Sequence, residues 1–455
     1  MVDMFIDILP FLMFAALIPL LFSGYPVAFI LGGVGLLFWG LAVLLGAENP
    51  QSFFLVVSRI FGSVVSKPLL VAVPMFIFMG TVLERSGIAR DLLNAMQVAT
   101  RRIPGGLAIS VTVIGVILAA TTGIIGASVV MMTVMALPVM LSRGYSPELA
   151  TGTIAASGTL GILLPPSIML VVMADLLSTS AGGLFMAAIG PSLLLAAFYI
   201  LYILIRTWIN PALAPPYEAD PQEAKYSLWL FIKSFVPPAL LIAAVLGSIF
   251  GGIATPTEAS GIGAFGAVIL ALVRRKLTFP VFQDVLEQSA LTTAMLFGLF
   301  VGATAFSYVF ALLGGHEAIL HVMDTTGTGP WAVLCLLMVL VFILGFFFDW
   351  IEITLIILPV FAPIIAALDF GSHLPNTQAT VTWFAILMAV NLQTSFLTPP
   401  FGFALFYLKG AAPNTVKIQA IYKGIIPFVL IQITALVILL IWPDLALWLP
   451  AKLSQ

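Results

Sequence analysis

The sequence is poor in charge: only 8% of its 455 residues are Asp, Glu, Lys or Arg, whereas 62% are hydrophobic. A soluble globular protein carries about 25% charged residues. The 17 basic and 19 acidic side chains are too few to cover a water-exposed surface of this size. Most of the chain is therefore expected to lie in the lipid bilayer. Since one span needs about 20 apolar residues, we expect roughly 10–13 membrane-inserted segments.

Cysteine and basic charge are also scarce, and each absence excludes a class of function. The single cysteine, Cys335, excludes a disulfide framework within the chain. A formal net charge of −2 argues against nucleic acid as a partner. The sequence contains no Gly-Lys dipeptide and so no Walker A loop. ATP hydrolysis by that route is excluded.

Apolar runs fill both halves of the chain, and a Pro-rich, charged stretch at 210–225 separates the halves. Several runs are too short to span alone and are predicted to form re-entrant hairpins or half-helices. Two segments, about 51–67 and 277–289, are amphipathic and predicted to lie in the membrane interface. The basic run at 274–276 directly follows a span, so the positive-inside rule predicts a cytoplasmic loop there.

The two halves repeat one another around two Pro-Pro pairs. Residues 161–168 (GILLPPSI) resemble residues 395–402 (SFLTPPFG), and upstream residues 137–140 (LPVM) resemble 358–361 (LPVF). Each proline removes a backbone donor and clashes with the preceding turn, so the helix must break. Freed carbonyl oxygens suit a small cation and a new helix N-terminus suits an anion. A single break would be read as a packing kink, but two matched breaks predict a transport site near the membrane midplane.

The fold class predicted from this pattern is an all-α polytopic membrane protein with two inverted structural repeats. Each repeat holds a re-entrant hairpin and a Pro-Pro-broken helix. The predicted divisions are a first repeat at 1–209 (scaffold helices 1–67, transport part about 69–185), an exposed linker at 210–227, and a second repeat at 228–455 (scaffold helices 228–289, transport part about 290–411, terminal helix 424–448).

Several short strings together carry a resemblance to a known family. They are Ser86-Gly87-Ile88-Ala89-Arg90, Pro104-Gly105-Gly106-Leu107-Ala108, Arg143-Gly144-Tyr145, Gly158-Thr159-Leu160-Gly161 running into Leu164-Pro165-Pro166-Ser167-Ile168, Ala254-Thr255-Pro256-Thr257-Glu258-Ala259, and Asn391-Leu392 followed by Leu397-Thr398-Pro399-Pro400. Over nearly its whole length the chain resembles the large membrane subunit of tripartite ATP-independent periplasmic (TRAP) transporters.

The resemblance implies an elevator-type importer of the bacterial inner membrane that is driven by sodium ions rather than ATP. A soluble periplasmic binding protein would deliver the substrate, usually a carboxylate. A small four-helix membrane subunit would brace the scaffold, and at 455 residues we expect it to be a separate chain. A one-component anion symporter with similar broken helices is the alternative transporter, and an intramembrane enzyme is the alternative from another class.

On this reading one sodium ion is expected between the hairpin tip at 121–128 and the break at 158–165. A second is expected between the tip at 345–354 and the break at 393–399. Backbone carbonyls and hydroxyls are the expected ligands, although hydroxyls in membrane helices also bond neighbouring helices. The candidate cation ligands are Thr121, Ser128, Ser157, Thr159, Gly161, Gly345, Thr394, Ser395 and Thr398. The candidate substrate contacts are Thr122, Gly123, Gly126, Ser167, Asp349 and Phe401.

Two features of the candidate tips leave alternatives open. The family's first tip usually carries a Ser-Gly-Ser sequence, but here Ile124 replaces the second serine, so backbone carbonyls or Ser128 would have to substitute. At the second tip, Asp349 and Glu352 have the spacing of a capping box. Ionisable residues at membrane depth are also candidates for an ion or proton role.

Overall fold

The computed structural model describes residues 2–100, 102–122, 125–216, 227–327, 329–399 and 402–453. Within these ranges the regular structure is helical throughout, with twenty α-helices and short 3-10 or π segments. Ten of the helices in the described ranges are long and apolar enough to cross a membrane. The prediction of an all-α polytopic membrane protein is confirmed.

In the first half, ten helices lie within the described ranges. They are α1 (Val2–Leu21), α2 (Val27–Leu44), α3 (Phe53–Ile60), α4 (Ala72–Arg85), α5 (Ile88–Thr100), α6 (Gly106–Thr122), α7 (Ile125–Ser142), α8 (Pro147–Thr159), α9 (Ile168–Leu176) and α10 (Ala181–Ile209). Helices α6 and α7 form the first hairpin, called hairpin 1 below. Residues 160–167 separate α8 from α9 and are called break 1.

The described residues of the second half form ten more helices. They are α11 (Ser227–Phe250), α12 (Pro256–Val273), α13 (Phe279–Leu312), α14 (Gly315–Thr326), α15 (Pro330–Leu344), α16 (Trp350–Ala367), α17 (Thr377–Leu397), α18 (Phe403–Ala411), α19 (Ile418–Ile441) and α20 (Asp444–Leu453). Helices α15 and α16 form hairpin 2. Residues 398–402, between α17 and α18, are called break 2.

Helix packing is reciprocal between the halves. Helix α2 packs on α13 and α12 packs on α4, while α8 packs on α19 and α17 packs on α10. The half-helices after the breaks also exchange partners, because α18 packs on hairpin helix α7 and α9 packs on hairpin helix α16. Two related halves produce this pattern, which supports the predicted repeat. Inversion of the repeats across the membrane stays a prediction.

The core lies at the broken helices rather than at the scaffold. Every residue from Thr380 to Leu397 of α17 is buried, and so is every residue from Leu149 to Thr159 of α8. Outer helices expose large apolar side chains instead, such as Phe29 at 76% and Leu44 at 88%. Because water would not tolerate so much exposed apolar surface, these side chains face lipid.

Glycines let helices of the two halves approach closely. A Cβ added to Gly302 of α13 would lie 2.2 Å from the Ala28 carbonyl oxygen of α2. A Cβ added to Gly152 of α8 would lie 2.2 Å from the Gly424 carbonyl oxygen of α19. Small residues drive such close packing in membranes, where lipid gives no hydrophobic force between helices.

The second amphipathic segment differs from its prediction. Residues 277–289 were expected to form a separate interfacial segment, but 279–289 are the first part of the continuous helix α13. The predicted division between 289 and 290 therefore falls inside a helix. At 34 residues α13 is about 51 Å long, longer than the hydrocarbon core, so its polar start can extend beyond the hydrocarbon without a break. In the first half, α3 and a π segment at Phe61–Val65 do form a separate amphipathic piece.

Two further predictions are corrected by the structure. The terminal helix predicted at 424–448 is two helices, α19 and α20, because Pro443 interrupts the run after Trp442. The linker is not exposed throughout, because Ala214 is buried and its carbonyl accepts a hydrogen bond from the Gly105 amide at 3.2 Å. The remainder of the predicted linker, from 217 to 226, lies outside the described residues.

Candidate functional site

Each hairpin packs against the broken helix of its own half. Both helices of hairpin 1 contact α8 and the 3-10 turn Leu160–Ile162 that opens break 1. Both helices of hairpin 2 contact α17. Since α9 and α18 cross to the opposite hairpins, the structure gathers two breaks and two hairpins around one centre.

Break 1 satisfies part of its freed backbone with its own side chain. Proline at position 166 leaves the Ile162 carbonyl without its helical donor, and the buried Ser167 hydroxyl donates to that carbonyl at 2.5 Å. Pro165 similarly removes the donor that would have met the Gly161 carbonyl. The Pro165–Pro166 peptide bond is cis. Ser167 thus has a structural use, and its predicted contact with substrate stays a prediction.

Break 2 ends its helix in a related way. The Thr398 amide donates to the Ser395 carbonyl at 3.1 Å, and the Thr398 hydroxyl donates to the Thr394 carbonyl at 2.8 Å. The hydroxyls of Thr394 and Ser395 donate to the carbonyls of Val390 and Leu392, each at 2.8 Å. A hydroxyl that donates its proton keeps its lone pairs for another partner. These three side chains therefore remain able to face a cation.

Equivalent residues tie each broken helix to its hairpin. Ser157 and Asn391 each stand eight residues before the first proline of their pair. The Ser157 hydroxyl donates to the Thr112 hydroxyl of α6 at 3.2 Å. The Asn391 amide donates to the Met338 carbonyl of α15 at 2.7 Å. The first helix of each hairpin is thereby hydrogen-bonded to the broken helix that it covers.

A second pair of equivalent residues meets across the two halves. Thr159 and Gln393 each stand six residues before their Pro-Pro pair. The Gln393 side-chain amide nitrogen donates to the Thr159 hydroxyl at 3.4 Å, and both side chains are fully buried. The two broken helices therefore touch through matching positions at the centre of the molecule.

Some buried oxygens around this centre have no partner. Within the described part of the chain, the buried Gln393 side-chain carbonyl oxygen accepts no hydrogen bond, and neither the Thr354 hydroxyl of α16 nor the Thr153 hydroxyl of α8 has a partner. A buried polar atom left without a partner costs about 1–3 kcal/mol. Gln393 and Thr354 lie on the two segments between which the second cation was predicted, so their oxygens are two further candidate ligands for it.

Hairpin 2 presents a tightly fitted tip. A Cβ added to Gly345 would lie 1.9 Å from the Ser395 hydroxyl oxygen and 2.7 Å from its Cβ, so hairpin 2 rests directly on the end of α17. At the other side of the tip, Asp349 caps α16 by accepting from the Trp350 amide at 2.7 Å, and Glu352 accepts from the Asp349 amide at 3.3 Å. The predicted capping box is confirmed.

Hairpin 1 is fitted to the opposite half by an aromatic ring. A Cβ added to Gly126 would lie 2.9 Å from the Tyr407 ring of α18. Tyr407 therefore packs α18 of the second half against the start of α7.

A cavity of about 830 Å³ reaches hairpin 1 from the side of the basic loop at 274–276, and is called the inner cavity below. Gly126, Tyr407, Glu84, Arg85 and Lys276 line it. It thus connects the start of α7 with a membrane surface.

The half-helices after the breaks begin without side-chain caps. No side chain of the described residues caps α9 at Ser167 or α18 at Gly402, whereas Asp349 caps α16. An uncapped helix start offers free N–H groups and a partial positive charge to an anion. The α16 start already holds a carboxylate and is less suited to a second one.

Most predicted site residues lie at this centre. Ser128 lies in α7, Ser157, Thr159 and Gly161 in α8 and break 1, Gly345 and Asp349 at the ends of hairpin 2, and Thr394, Ser395 and Thr398 in α17 and break 2. Thr121 and Thr122 end α6, while Gly123 and Phe401 lie outside the described residues. The sequence did not predict Asn391, Gln393 or Tyr407 as site residues, although Asn391 stands in one of the family strings and Gln393 begins the second predicted break. For the first two, the signal was a shared distance from the Pro-Pro pairs.

The candidate cation ligands at the centre are neutral oxygens, whereas the Asp349 and Glu352 carboxylates are used in the capping box of α16. Among the described residues no group of three or more His, Cys, Asp or Glu side chains could hold a metal ion. Carbonyl, amide and hydroxyl oxygens suit hard cations rather than soft transition metals. The available residues fit an alkali cation.

Comparison with known proteins gives a consistent family. The profile described as "Tripartite ATP-independent periplasmic transporter, DctM component" matches residues 14–445. The C4-dicarboxylate TRAP transporter large permease protein DctM of Pseudomonas aeruginosa is 30% identical over 391 residues, which cover 85% of this chain and 87% of that protein. The ectoine TRAP transporter large permease protein TeaC of Halomonas elongata is 29% identical over 381 residues, covering 84% and 86%.

Two further similarities concern chain length and fold. The isethionate TRAP transporter permease protein DctMQ of Oleidesulfovibrio alaskensis is 30% identical over 429 residues, covering 92% of this chain but only 64% of that longer protein. The crystal structure of the Alcanivorax borkumensis YdaH transporter is similar with a TM-score of 0.59, covering 88% of this chain and 89% of that chain at 16% identity. The latter similarity concerns the fold alone.

Proposed function

Because this chain belongs to the DctM component family of tripartite ATP-independent periplasmic transporters, we propose that it imports an organic acid, driven by sodium ions. It is a large permease subunit of the inner membrane, and its family consists of transporters rather than enzymes. In our proposal a periplasmic binding protein delivers a carboxylate and a separate four-helix subunit braces the scaffold. The relatives' named substrates differ, so the individual substrate is left open.

The observation that supports cation coupling is the buried contact between Gln393 and Thr159. The Gln393 amide nitrogen donates a hydrogen bond to Thr159 of the first half. The side-chain carbonyl oxygen of Gln393 remains buried, with no partner among the described residues. A cation at this position would satisfy that oxygen together with the Thr354 hydroxyl and carbonyls freed by the prolines. Sodium coupling also provides enough driving force, since each net positive charge gains about 2.3 kcal/mol per 100 mV.

Replacing sodium by choline tests this proposal directly. In membrane vesicles that contain the permease and its small subunit, with the binding protein and its ligand outside, uptake is expected to fall to the level of vesicles without permease. Ionic strength stays constant, and a protonophore is not expected to abolish uptake that an imposed sodium gradient drives. Uptake that persists in choline and follows a proton gradient would contradict sodium coupling and move the coupling role to Asp349 and Glu352.

Gln393→Met separates a coupling role from a structural one. Methionine keeps the approximate volume and removes both the weak bond to Thr159 and the unpartnered oxygen, so the free energy of unfolding should change by less than about 1 kcal/mol. Uptake at low sodium is expected to fall at least about tenfold, because a lost ligand of 1.4 kcal/mol weakens cation binding tenfold.

Asn391→Leu is the matched control for Gln393→Met. Asn391 is also a buried amide of α17, but its nitrogen donates to the Met338 carbonyl of hairpin 2. Losing that bond is expected to lower the melting temperature. A Gln393→Met protein with the sodium dependence of the unmodified chain would remove this residue from the cation site.

For the substrate we propose a place between the two hairpins, with its carboxylate toward the uncapped starts of α9 and α18. The inner cavity leads there from the side of Lys276, which the positive-inside rule assigns to the cytoplasm. We therefore propose that this conformation is open inward. Alternate access from outside would follow when the hairpins and broken helices move as a unit against the scaffold.

A further inference from the structure

A second cavity lies on the opposite side of the membrane from the inner cavity. Its volume is about 780 Å³, and it is bounded by α3, the π segment, α9, α13 and α16. At the other end of α13, the Asp284 carboxylate forms an ion pair with the Arg85 guanidinium at 3.1 Å, and Arg85 lines the inner cavity. Ser307, which lines the second cavity, lies about 35 Å along α13 from Asp284. This distance exceeds the thickness of the bilayer's hydrocarbon core, which is about 30 Å. We call this second space the outer cavity.

Positive charge is concentrated in the outer cavity. Arg59 and Lys67 line it, in a chain with only 17 lysines and arginines, and the His316 ring lies beside them. The single carboxylate among its lining residues, Asp175, is bound to Lys67 at 3.2 Å. His316 donates to the Pro359 carbonyl at 3.3 Å, a carbonyl that Pro363 leaves without its helical donor. Among the described residues that line the cavity, Arg59 has no carboxylate partner, so the cavity is positive.

The walls of the outer cavity connect it to the proposed transport centre. Helix α9 begins at break 1 and reaches the cavity at Asp175, while α16 begins at hairpin 2 and reaches it at Leu355 and Pro359. Hydroxyls such as those of Ser307 and Tyr308 also line it and can donate to an anion. The space is large enough for a small organic acid with its water.

We infer that the outer cavity is an anion-binding vestibule, which takes small organic carboxylates or sulfonates before they enter the transport centre. Arg59 and Lys67 raise the local concentration of anions by the positive potential that they create in a low-dielectric crevice. The role as an entry path rests on the proposed function, whereas the anion preference of the cavity stands on its own residues.

Thiol labelling measures this potential without any transport. In the full chain in membrane vesicles, Cys335→Ser removes the native thiol and Ser307→Cys introduces one in the outer cavity. The rates of reaction are measured with an anionic reagent (2-sulfonatoethyl methanethiosulfonate), a cationic one (the trimethylammonium analogue) and a neutral one (methyl methanethiosulfonate). A failed transport assay leaves this measurement valid, and a failed measurement leaves the transport proposal intact.

The expected result is a large fall in the ratio of anionic to cationic rates when the charges are removed. One charge about 10 Å away changes each rate about twofold in a water-like dielectric. Arg59→Gln alone should then lower the ratio about fourfold, and Arg59→Gln with Lys67→Gln should lower it by about tenfold or more. The neutral reagent should react equally in all variants.

Arg206→Gln with Lys423→Gln is the matched control, because it removes two exposed basic residues that do not line the cavity. Its rate ratio should stay within about twofold of the parent, since distant exposed charges are screened beyond about 10 Å. The inference is overturned if the Arg59 and Lys67 variants keep the parent ratio. It is equally overturned if the neutral reagent fails to reach the thiol at position 307.

Discussion

Gly345→Ala is expected to lower the melting temperature of the purified protein by several degrees and to abolish uptake. The added methyl group would lie 2.7 Å from the Ser395 Cβ as well as 1.9 Å from its hydroxyl oxygen, so rotating the serine side chain cannot relieve the contact. Hairpin 2 must then lift away from α17. Overpacking of this kind costs about 1–3 kcal/mol, and it separates the tip from the break beside which the second cation is proposed.

The contact can be tested by compensation. Gly345→Ala combined with Ser395→Gly removes the obstructing side chain and should recover most of the melting temperature. Gly33→Ala is the control, because a Cβ at this helical position meets nothing within 4 Å. It should leave stability equal or slightly higher, since alanine favours helix over glycine. An unchanged melting temperature for Gly345→Ala would mean that hairpin 2 does not rest on Ser395.

The double variant also distinguishes a loss of stability from a loss of the proposed cation site. If melting temperature returns in Gly345→Ala with Ser395→Gly but uptake does not, the Ser395 hydroxyl is needed for transport, as its prediction as a cation ligand requires. If both the melting temperature and uptake return, the Ser395 side chain is needed only for the packing of hairpin 2 on α17. The measurement is uptake of the ligand carried by the binding protein, compared at equal amounts of permease.

Local features of the site were predictable from the sequence because their causes are local. The two Pro-Pro pairs predicted two breaks, since proline removes a donor whatever surrounds it. The spacing of Asp349 and Glu352 predicted the capping box, which needs only three residues of separation. Composition alone predicted a multi-pass helical protein.

Contacts between distant residues could not be predicted in the same way. The bond between Gln393 and Thr159 joins positions 234 residues apart, and the ring of Tyr407 meets Gly126 from the other half of the chain. Both depend on the exchange of partners between the halves, which no local pattern encodes. The continuous helix α13 was missed for a related reason, because its polar start resembles an interfacial segment while containing no helix breaker after Pro280.

Pro165→Ala with Pro166→Ala is expected to reduce uptake at least about tenfold while the protein still inserts in the membrane, because the change joins α8 and α9 into one helix. With an amide restored at positions 165 and 166, the carbonyls of Gly161 and Ile162 regain helical donors, and the start of α9 disappears as a site for an anion. The driving ion and the substrate thus lose their partners in one change.

Pro191→Ala is the control, since Pro191 lies inside the uninterrupted α10 and its loss should leave uptake within about twofold. Normal uptake by the double alanine variant would mean that transport does not depend on an interrupted helix at this position.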